Sequence, residues 1–497
     1  MKFPEEFIKR IETQDYIDSR SLLSALEMPS PVSIRINRLK WKRIPESSEQ
    51  VPWCNFGYYL ESRPSYTLDP LYHAGCYYPQ EASGMFIGHV AEQFVGKQAK
   101  VRVLDLCGAP GGKSTHLSSI LGPGSFLVSN EVIRSRASVL EENVNRWGIS
   151  NTIVTCNDPS DFAKFPGFFD LIVIDAPCSG EGMFRDPVAV NEWSPENARL
   201  CSDRQKRILM DAWPALKENG ILIYSTCTFN PDENERNMDW FYCKANFECL
   251  PIDISGFKGI TEVKYNGITG YGFYPGRIRG EGFFVSVLKK REEVVSNARS
   301  YLPITNGVRN KLQYTYKSPL GDLVVMDKKR HLKQIYITLK DDISHRKDDY
   351  LLAEKMINIT GNYIARSDDW VVRLPCEIGE FQILRQNLRI IKPGTRLFKI
   401  KNRDYFPSHE LALSCELKKE AFPLYELDYE QVSAYLRREP FKGDLPEKGW
   451  LIVTWMGVNL GFAKNLGNRI NNYFPVSLRV RKTMGKDDQD SLIRWLY

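Results

Sequence analysis

The sequence predicts an α/β protein with a Rossmann-like core, an α+β extension before it and a mixed α+β region after it. Three observations carry this. Five short β-rich runs, VRVLDL, SFLVSN, TIVTCN, DLIVID and GILIYST, follow one another between residues 101 and 226. Helical stretches such as RSRASVLEENVNRWG and PENARLCSDRQKRILMDAWPALKENG stand between several of them. A Gly-rich turn joins the first run to its helix. Strands alternating with helices form parallel βαβ units and a doubly wound sheet.

The chain of 497 residues is 42% apolar and 26% charged, the balance of folded domains with sizeable cores. At roughly 150 residues per domain, several domains are expected. Residues 1–70 form the N-terminal extension, with a helical opening and the strand-like PVSIRINRLKW. Residues 71–290 form the core, closed by the hairpin GYGFYPGRIRGEGFFVSVLKK with Gly and Pro at its turn. KKREEVVSNARS, from Lys289, reads as a linker or helical bridge. Beyond it, GDLVVM, WVVRL, GWLIVTWMGVNLGFAK and YFPVSLRVRK read as short strands of two further units, 300–385 and 386–497.

Bulk properties narrow the function classes. No apolar run approaches the roughly 18 residues a membrane span needs. MKFPEEFIKRIETQDYI lacks a signal peptide's apolar stretch and reads as an amphipathic helix, so a cytoplasmic protein is expected, without membrane partners. The 67 Lys+Arg against 61 Asp+Glu suit a phosphate-rich partner without establishing one. Eleven cysteines without C-x-x-C spacing suggest neither a disulfide framework nor a metal site.

The turn Cys107-Gly108-Ala109-Pro110-Gly111-Gly112-Lys113-Ser114 lets backbone N–H groups approach a ligand. It is not a Walker A loop: G-x-x-x-x-G-K-S requires Gly where Cys107 stands. Acids instead mark the first three strand ends, Asp105, Glu131 and Asp158. An acid ending the second strand is placed to accept ribose hydroxyl protons, and Asp158 to reach an adenine amine. Such a set disfavours polyphosphate and suits adenosine carrying a sulfonium, which points to S-adenosyl-L-methionine.

The fourth strand runs into Asp175-Ala176-Pro177-Cys178 and the fifth into Thr226-Cys227-Thr228. Ligands bind at the carboxyl ends of such strands, so one carboxylate and two thiols face the methyl donor. That set fits methylation at C5 of cytosine. A thiolate adding to C6 turns C5 into a nucleophile, and loss of the C5 proton later expels the thiol. Cys227 is the expected nucleophile, activated by a lowered pKa, and Asp175 the expected proton donor near N3.

DLCGAPGGKSTHL, DLIVIDAPCSGEGMFR and GILIYSTCTFNPDENE, with SIRINRLK and YYPQEAS upstream, resemble the Sun (Nol/Nop) family of RNA cytosine-5 methyltransferases over about residues 30–290. The resemblance implies an S-adenosylmethionine-dependent methyltransferase with Cys227 as nucleophile, Cys178 as the aid to product release and Asp175 as the acid/base. It implies cofactor contacts from Cys107 through Lys113 and from Glu131, Asp158 and Asp175. Gly108 stands where many relatives have Ala, a change a tight turn should tolerate. The C-terminal half is similar to bacterial members that act on 16S ribosomal RNA and carry an extra domain and a PUA-like RNA-binding domain. The implied partner is 16S rRNA or the 30S subunit, met by a monomer.

Two basic clusters suit RNA: Arg469, Arg479, Arg481 and Lys482 around Tyr473 and Phe474, and Arg35, Arg38 and Lys40 in SIRINRLK. The target cytosine must leave its stack to meet Cys227. Transfer RNA or 23S rRNA are alternative substrates. The rivals are a methyltransferase acting on protein or an exocyclic amine, and a non-catalytic RNA-binding assembly factor. Amine methylation usually uses an Asn/Asp-Pro-Pro-aromatic turn and no thiol, unlike Asp-Ala-Pro-Cys here.

Overall fold

The computed structural model describes residues 2–96, 98–292, 313–318, 321–326, 347–359, 363–367, 369–401, 404–441, 443, 447–482 and 491–496. Most of the expected linker, from residue 293 onward, lies outside them.

The chain opens with helices α1 (Glu5–Glu12) and α2 (Ser19–Leu26), the second capped by Asp18, which accepts the Ser21 N–H. Phe7 and Ile11, one turn apart on α1, pack with Leu22 and Leu26 against Phe184, Trp193 and Phe229 of the core. Strands β1 (Val32–Ile36), β2 (Glu49–Gln50), β3 (Gly57–Leu60) and β4 (Tyr77–Pro79) form a sheet in the order β2-β3-β1-β4.

The core follows as β5 (Arg102–Asp105), α3 (Gly112–Ile120), β6 (Phe126–Asn130), α4 (Arg134–Trp147), β7 (Thr152–Thr155), β8 (Phe169–Asp175), α5 (Pro195–Ala212), β9 (Leu216–Thr226) and α6 (Glu235–Tyr242). Strands β10 (Phe247–Leu250), β11 (Thr261–Tyr265), β12 (Ile268–Phe273) and β13 (Phe283–Lys290) complete it. All five expected core strands form and pair in parallel, in the order β9-β8-β5-β6-β7. The chain leaves β5 toward β6 on one side and reaches β8 on the other. The crevice at this switch point is where such sheets bind ligands. Val103, Leu104, Ile172, Val173, Leu222 and Ile223 are fully buried, because layers cover both faces of the sheet. The expected hairpin is β12–β13, and β13 adds antiparallel to β9.

One boundary differs from the sequence reading. The helix expected to run to Gly220 ends at Ala212, and Leu216–Gly220 already belong to β9. Pro214 lacks the N–H that a continuing helix would need.

Beyond β14 (Gln313–Ser318) and β15 (Gly321–Met326), an antiparallel pair, the chain returns to the core. Helix α7 (Ile378–Asn387) places Phe381, Leu384 and Leu388 in the apolar cluster of Leu104, Ile172 and Leu222. After β16 (Ile364–Ser367) and β17 (Trp370–Arg373), strand β18 (Ile390–Lys392) pairs antiparallel with β7 and extends the core sheet. Strands β19 (Thr395–Lys401) and β20 (Asp404–Pro407) join β16 and β17 in one sheet, which draws strands from both sides of residue 385.

The last sheet is β21 (Leu424–Glu426), β22 (Gly449–Trp455), β23 (Val458–Asn465) and β24 (Ile470–Asn472). YFPVSLRVRK is not a strand: Pro475 follows β24 and Val476–Leu478 form a 3-10 turn. This sheet shares a core with the N-terminal one, where Ile34, Ile36 and Trp41 meet Leu451, Val453 and Leu460. Trp495 packs edge-on against Trp41.

Candidate functional site

The Gly-rich turn leaves β5 and enters α3 under a buried polar network. Ser114 Oγ donates to Asp105 Oδ2 at 2.6 Å and lies 2.8 Å from Ser129 Oγ. A Cβ on Gly108 would come within 2.3 Å of Ser129 Oγ and 2.8 Å of Ser114 Oγ. In this chain the two hydroxyls occupy the space that a methyl group would need, so glycine fits the turn, the change that the sequence reading expects a tight turn to tolerate. Gly111 adopts φ +116, the left-handed region that glycine enters without strain, and begins α3.

Several expected cofactor residues converge here. Cys107, half-buried, follows Asp105; Ala109 is buried and Pro110 exposed. Burial pushes the Asp105 carboxyl up to about 7, with Asp175 and Glu131 adding to the rise. Asp105 Oδ1 is buried and has no hydrogen-bond partner. An acceptor left open beside a glycine turn fits a ligand that donates protons, and Glu131 supplies a second buried carboxylate. Glu131 accepts the Ile133 N–H at 3.0 Å and faces Arg136 at 3.4 Å. Asp158 stands apart: it caps the following 3-10 turn, accepts from Ser160 and faces Arg207 at 3.7 Å.

On the other side of β5, the thiols meet. Cys178 Sγ lies 3.1 Å from Cys227 Sγ, and the Cys227 N–H donates to Cys178 Sγ at 3.3 Å. Both side chains are half-buried. The contact with Cys227, then burial, pushes the Cys178 thiol well above its ordinary range, so Cys178 keeps its proton. Asp175 Oδ2 accepts from Lys113 Nζ at 2.8 Å and Oδ1 from Ser225 Oγ at 2.8 Å. Burial acts to lower the Lys113 pKa, but Asp175 outweighs it and holds the ammonium above its usual value. Lys113 is therefore part of the site and not a solvated surface lysine.

The sequence reading missed the carboxylates behind these loops. Glu233 is fully buried and accepts from Ser179, Gln205 and Asn230. Glu181 is fully buried and pairs with Arg10 of α1 and Trp193 Nε1. Both lie inside the quoted motifs. No periodicity marks a buried loop carboxylate, so pattern alone did not single them out.

The basic clusters divide. Arg35 is buried, donates to Gln80, Gly112 O and Thr115, and stacks 4.3 Å from the Trp147 ring centroid. Lys40 Nζ donates to Ala74 O at 2.9 Å and Arg146 O at 2.7 Å. These two cations hold the N-terminal unit to the core, and Arg38 alone of the three is exposed. At the C-terminal cluster all four cations are exposed, but Phe474 is a core residue against Tyr435 and His409. Tyr473 is 37% exposed and packs on Trp450. Beside the Cys227 loop, a cleft of about 440 Å³ is lined by Trp193, Arg199, Lys206, Asp232, Arg236 and Trp240. Among the described residues, no group of three or more His, Cys, Asp or Glu is placed to hold a metal ion, and no helix is long and apolar enough to cross a membrane.

Comparison with known proteins matches three family models in order. Residues 3–82 match the N-terminal domain of 16S rRNA methyltransferase RsmF, 93–289 match 16S rRNA methyltransferase RsmB/F, and 422–480 match the methyltransferase RsmF PUA domain. The chain is 30% identical over 511 residues to ribosomal RNA small subunit methyltransferase F of Klebsiella pneumoniae (strain 342), covering 96% of each chain. It is 31% identical to the protein of the same name from Salmonella agona (strain SL483), again over 96% of each. Among solved structures, the crystal structure of PH0851 matches with a TM-score of 0.52 and 21% identity, over 58% of this chain and 66% of that one, a likeness of fold.

Proposed function

Since the chain belongs to the ribosomal RNA small subunit methyltransferase F family, we propose that it methylates C5 of a cytosine in 16S ribosomal RNA, with Cys227 as covalent nucleophile. It is an S-adenosylmethionine-dependent methyltransferase. The observation that carries the finer reading is the thiol pair, 3.1 Å apart and next to the Lys113–Asp175 pair. Methylation of an amine or a protein side chain has no use for two thiols in contact.

In this reading the target cytosine leaves its stack and lies over Cys227. The Cys227 sulfur adds to C6 as a thiolate, and the electron pair of the C5–C6 double bond moves toward N3. Asp175 hydrogen-bonds the N3 edge, with the Lys113 ammonium beside it as a proton source. The turn from Cys107 to Lys113, with Glu131, Asp158 and Asp175, would hold S-adenosylmethionine, which would supply the methyl group to C5 and leave as S-adenosylhomocysteine. Cys178, whose thiol keeps its proton, first donates a hydrogen bond to the attacking sulfur. When the C5 proton passes to water, its bonding pair re-forms the C5–C6 double bond, the C6–S bond breaks with its electron pair returning to Cys227, and Cys178 donates a hydrogen bond to the departing sulfur. The exposed Arg469, Arg479, Arg481 and Lys482 hold phosphates of the same RNA.

The test is product analysis. The purified protein is incubated with 16S rRNA, or with 30S subunits, and labelled cofactor, and the RNA is digested to nucleosides. Label in 5-methylcytidine is the expected result; label in another nucleoside, or in protein, overturns the reading.

A further inference from the structure

We infer that Glu233 is a positioning residue: its carboxylate joins the loop bearing Cys178 to the loop bearing Cys227 and so sets the contact between the two thiols. The inference rests on the thiol pair being the reactive centre. Glu233 Oε2 accepts the Ser179 N–H at 2.9 Å and Gln205 Nε2 at 2.9 Å. Oε1 accepts the Ser179 hydroxyl and Asn230 Nδ2, the latter at 3.3 Å. A carboxylate offers about four acceptor sites, and all four have donors here. One donor residue, Ser179, directly follows Cys178. Another, Asn230, lies in the loop that begins at Cys227.

The surroundings make this joint stiff. Gln205 of α5 also donates to Pro177 O at 3.0 Å, and its own oxygen accepts from Asn237 at 3.0 Å. Ser179 Oγ meets Thr228 Oγ1 at 2.9 Å, a second bridge between the loops. Tyr224 OH donates to the Glu233 carbonyl at 2.7 Å, which fixes the backbone carrying the carboxylate. None of these hydrogen bonds reaches the reacting sulfurs. It fixes the two backbones from which Cys178 and Cys227 project.

Glu233→Gln keeps the volume but turns an NH₂ toward at least one of these donors, so the loops part. A shift on the order of 1 Å at the thiols lowers kcat by roughly tenfold to a hundredfold. The KM for S-adenosylmethionine should stay unchanged. The distinguishing readout is independent of methyl transfer. Diamide oxidises two adjacent thiols to a disulfide and takes up both hydrogens, and the Cys178–Cys227 cross-linked peptide is followed by mass spectrometry. Wild-type protein should cross-link at least tenfold faster than Glu233→Gln. Ser179→Ala, which removes one of the four bonds together with the Thr228 contact and leaves the carboxylate in place, should fall between them and covers the case in which Glu233→Gln does not fold. Cross-linking at the wild-type rate in the folded Glu233→Gln variant, or in Ser179→Ala if the first is unfolded, overturns the proposal. Were Cys227→Ala to retain methyl transfer, the functional reading would fail, while the cross-linking result would still report on Glu233.

Discussion

At the scale of single residues, burial decides what each polar group does. Asp105 illustrates the sign. Burial raises its carboxyl to about 7 from an ordinary value near 4, so between these pH values the folded chain holds a proton that the unfolded chain has released. Stability therefore falls as pH climbs through that window, and the full cost, at most about 4 kcal/mol, is present above it. Asp105→Asn should raise the thermal midpoint at pH 8 relative to wild type and leave it nearly unchanged at pH 4, read by calorimetry. The same variant should bind S-adenosylhomocysteine more weakly, because it alters the open buried acceptor. Arg35 gives a second residue-scale prediction. Arg35→Ala leaves Gln80, Gly112 O and Thr115 without their donor, and should cost about 3 kcal/mol in denaturant unfolding, in the range for breaking buried charged contacts.

At the scale of elements, what was legible in the sequence was periodicity and punctuation. VRVLDL, SFLVSN, TIVTCN, DLIVID and GILIYST each became a strand because a sheet covered on both faces is written as a nearly unbroken apolar run. The Gly-rich turn and the two Cys-bearing loops could be placed because strand ends define the crevice. Arg35 and Lys40 were misread because charge in a sequence does not show what it touches. YFPVSLRVRK was misread because apolar alternation outweighed a proline. Glu233 and Glu181 were invisible for want of any pattern. The corrected assignment of basic groups predicts that Arg479→Ala and Arg481→Ala each reduce the salt slope of RNA binding by about one. Neither should move the melting temperature. A filter-binding titration against salt checks this, and an unchanged slope would remove that turn from the RNA interface.

At the scale of the whole molecule, the C-terminal half is not an appendage. Helix α7 fills the core beneath the catalytic sheet, β18 extends that sheet, and Lys40 and Trp495 fasten the N-terminal unit to its neighbours. The bulk division into units suggests that removing residues beyond about 300 weakens RNA binding and spares cofactor binding. The packing predicts otherwise. Truncation exposes Leu104, Ile172 and their neighbours, so the shortened protein should lose cofactor binding together with RNA binding, and its thermal midpoint should fall sharply. Cofactor affinity within twofold of the intact chain, by calorimetric titration, would show that the core stands alone.

The covalent step is tested most directly by trapping. RNA carrying 5-azacytidine at the target position is mixed with wild-type, Cys178→Ala and Cys227→Ala proteins and run on a denaturing gel. Wild-type and Cys178→Ala proteins should give a denaturant-stable protein–RNA band, and Cys178→Ala should accumulate the band with unmodified RNA as well. Cys227→Ala should give none. A band of wild-type intensity from Cys227→Ala would contradict the assignment of that sulfur as the nucleophile.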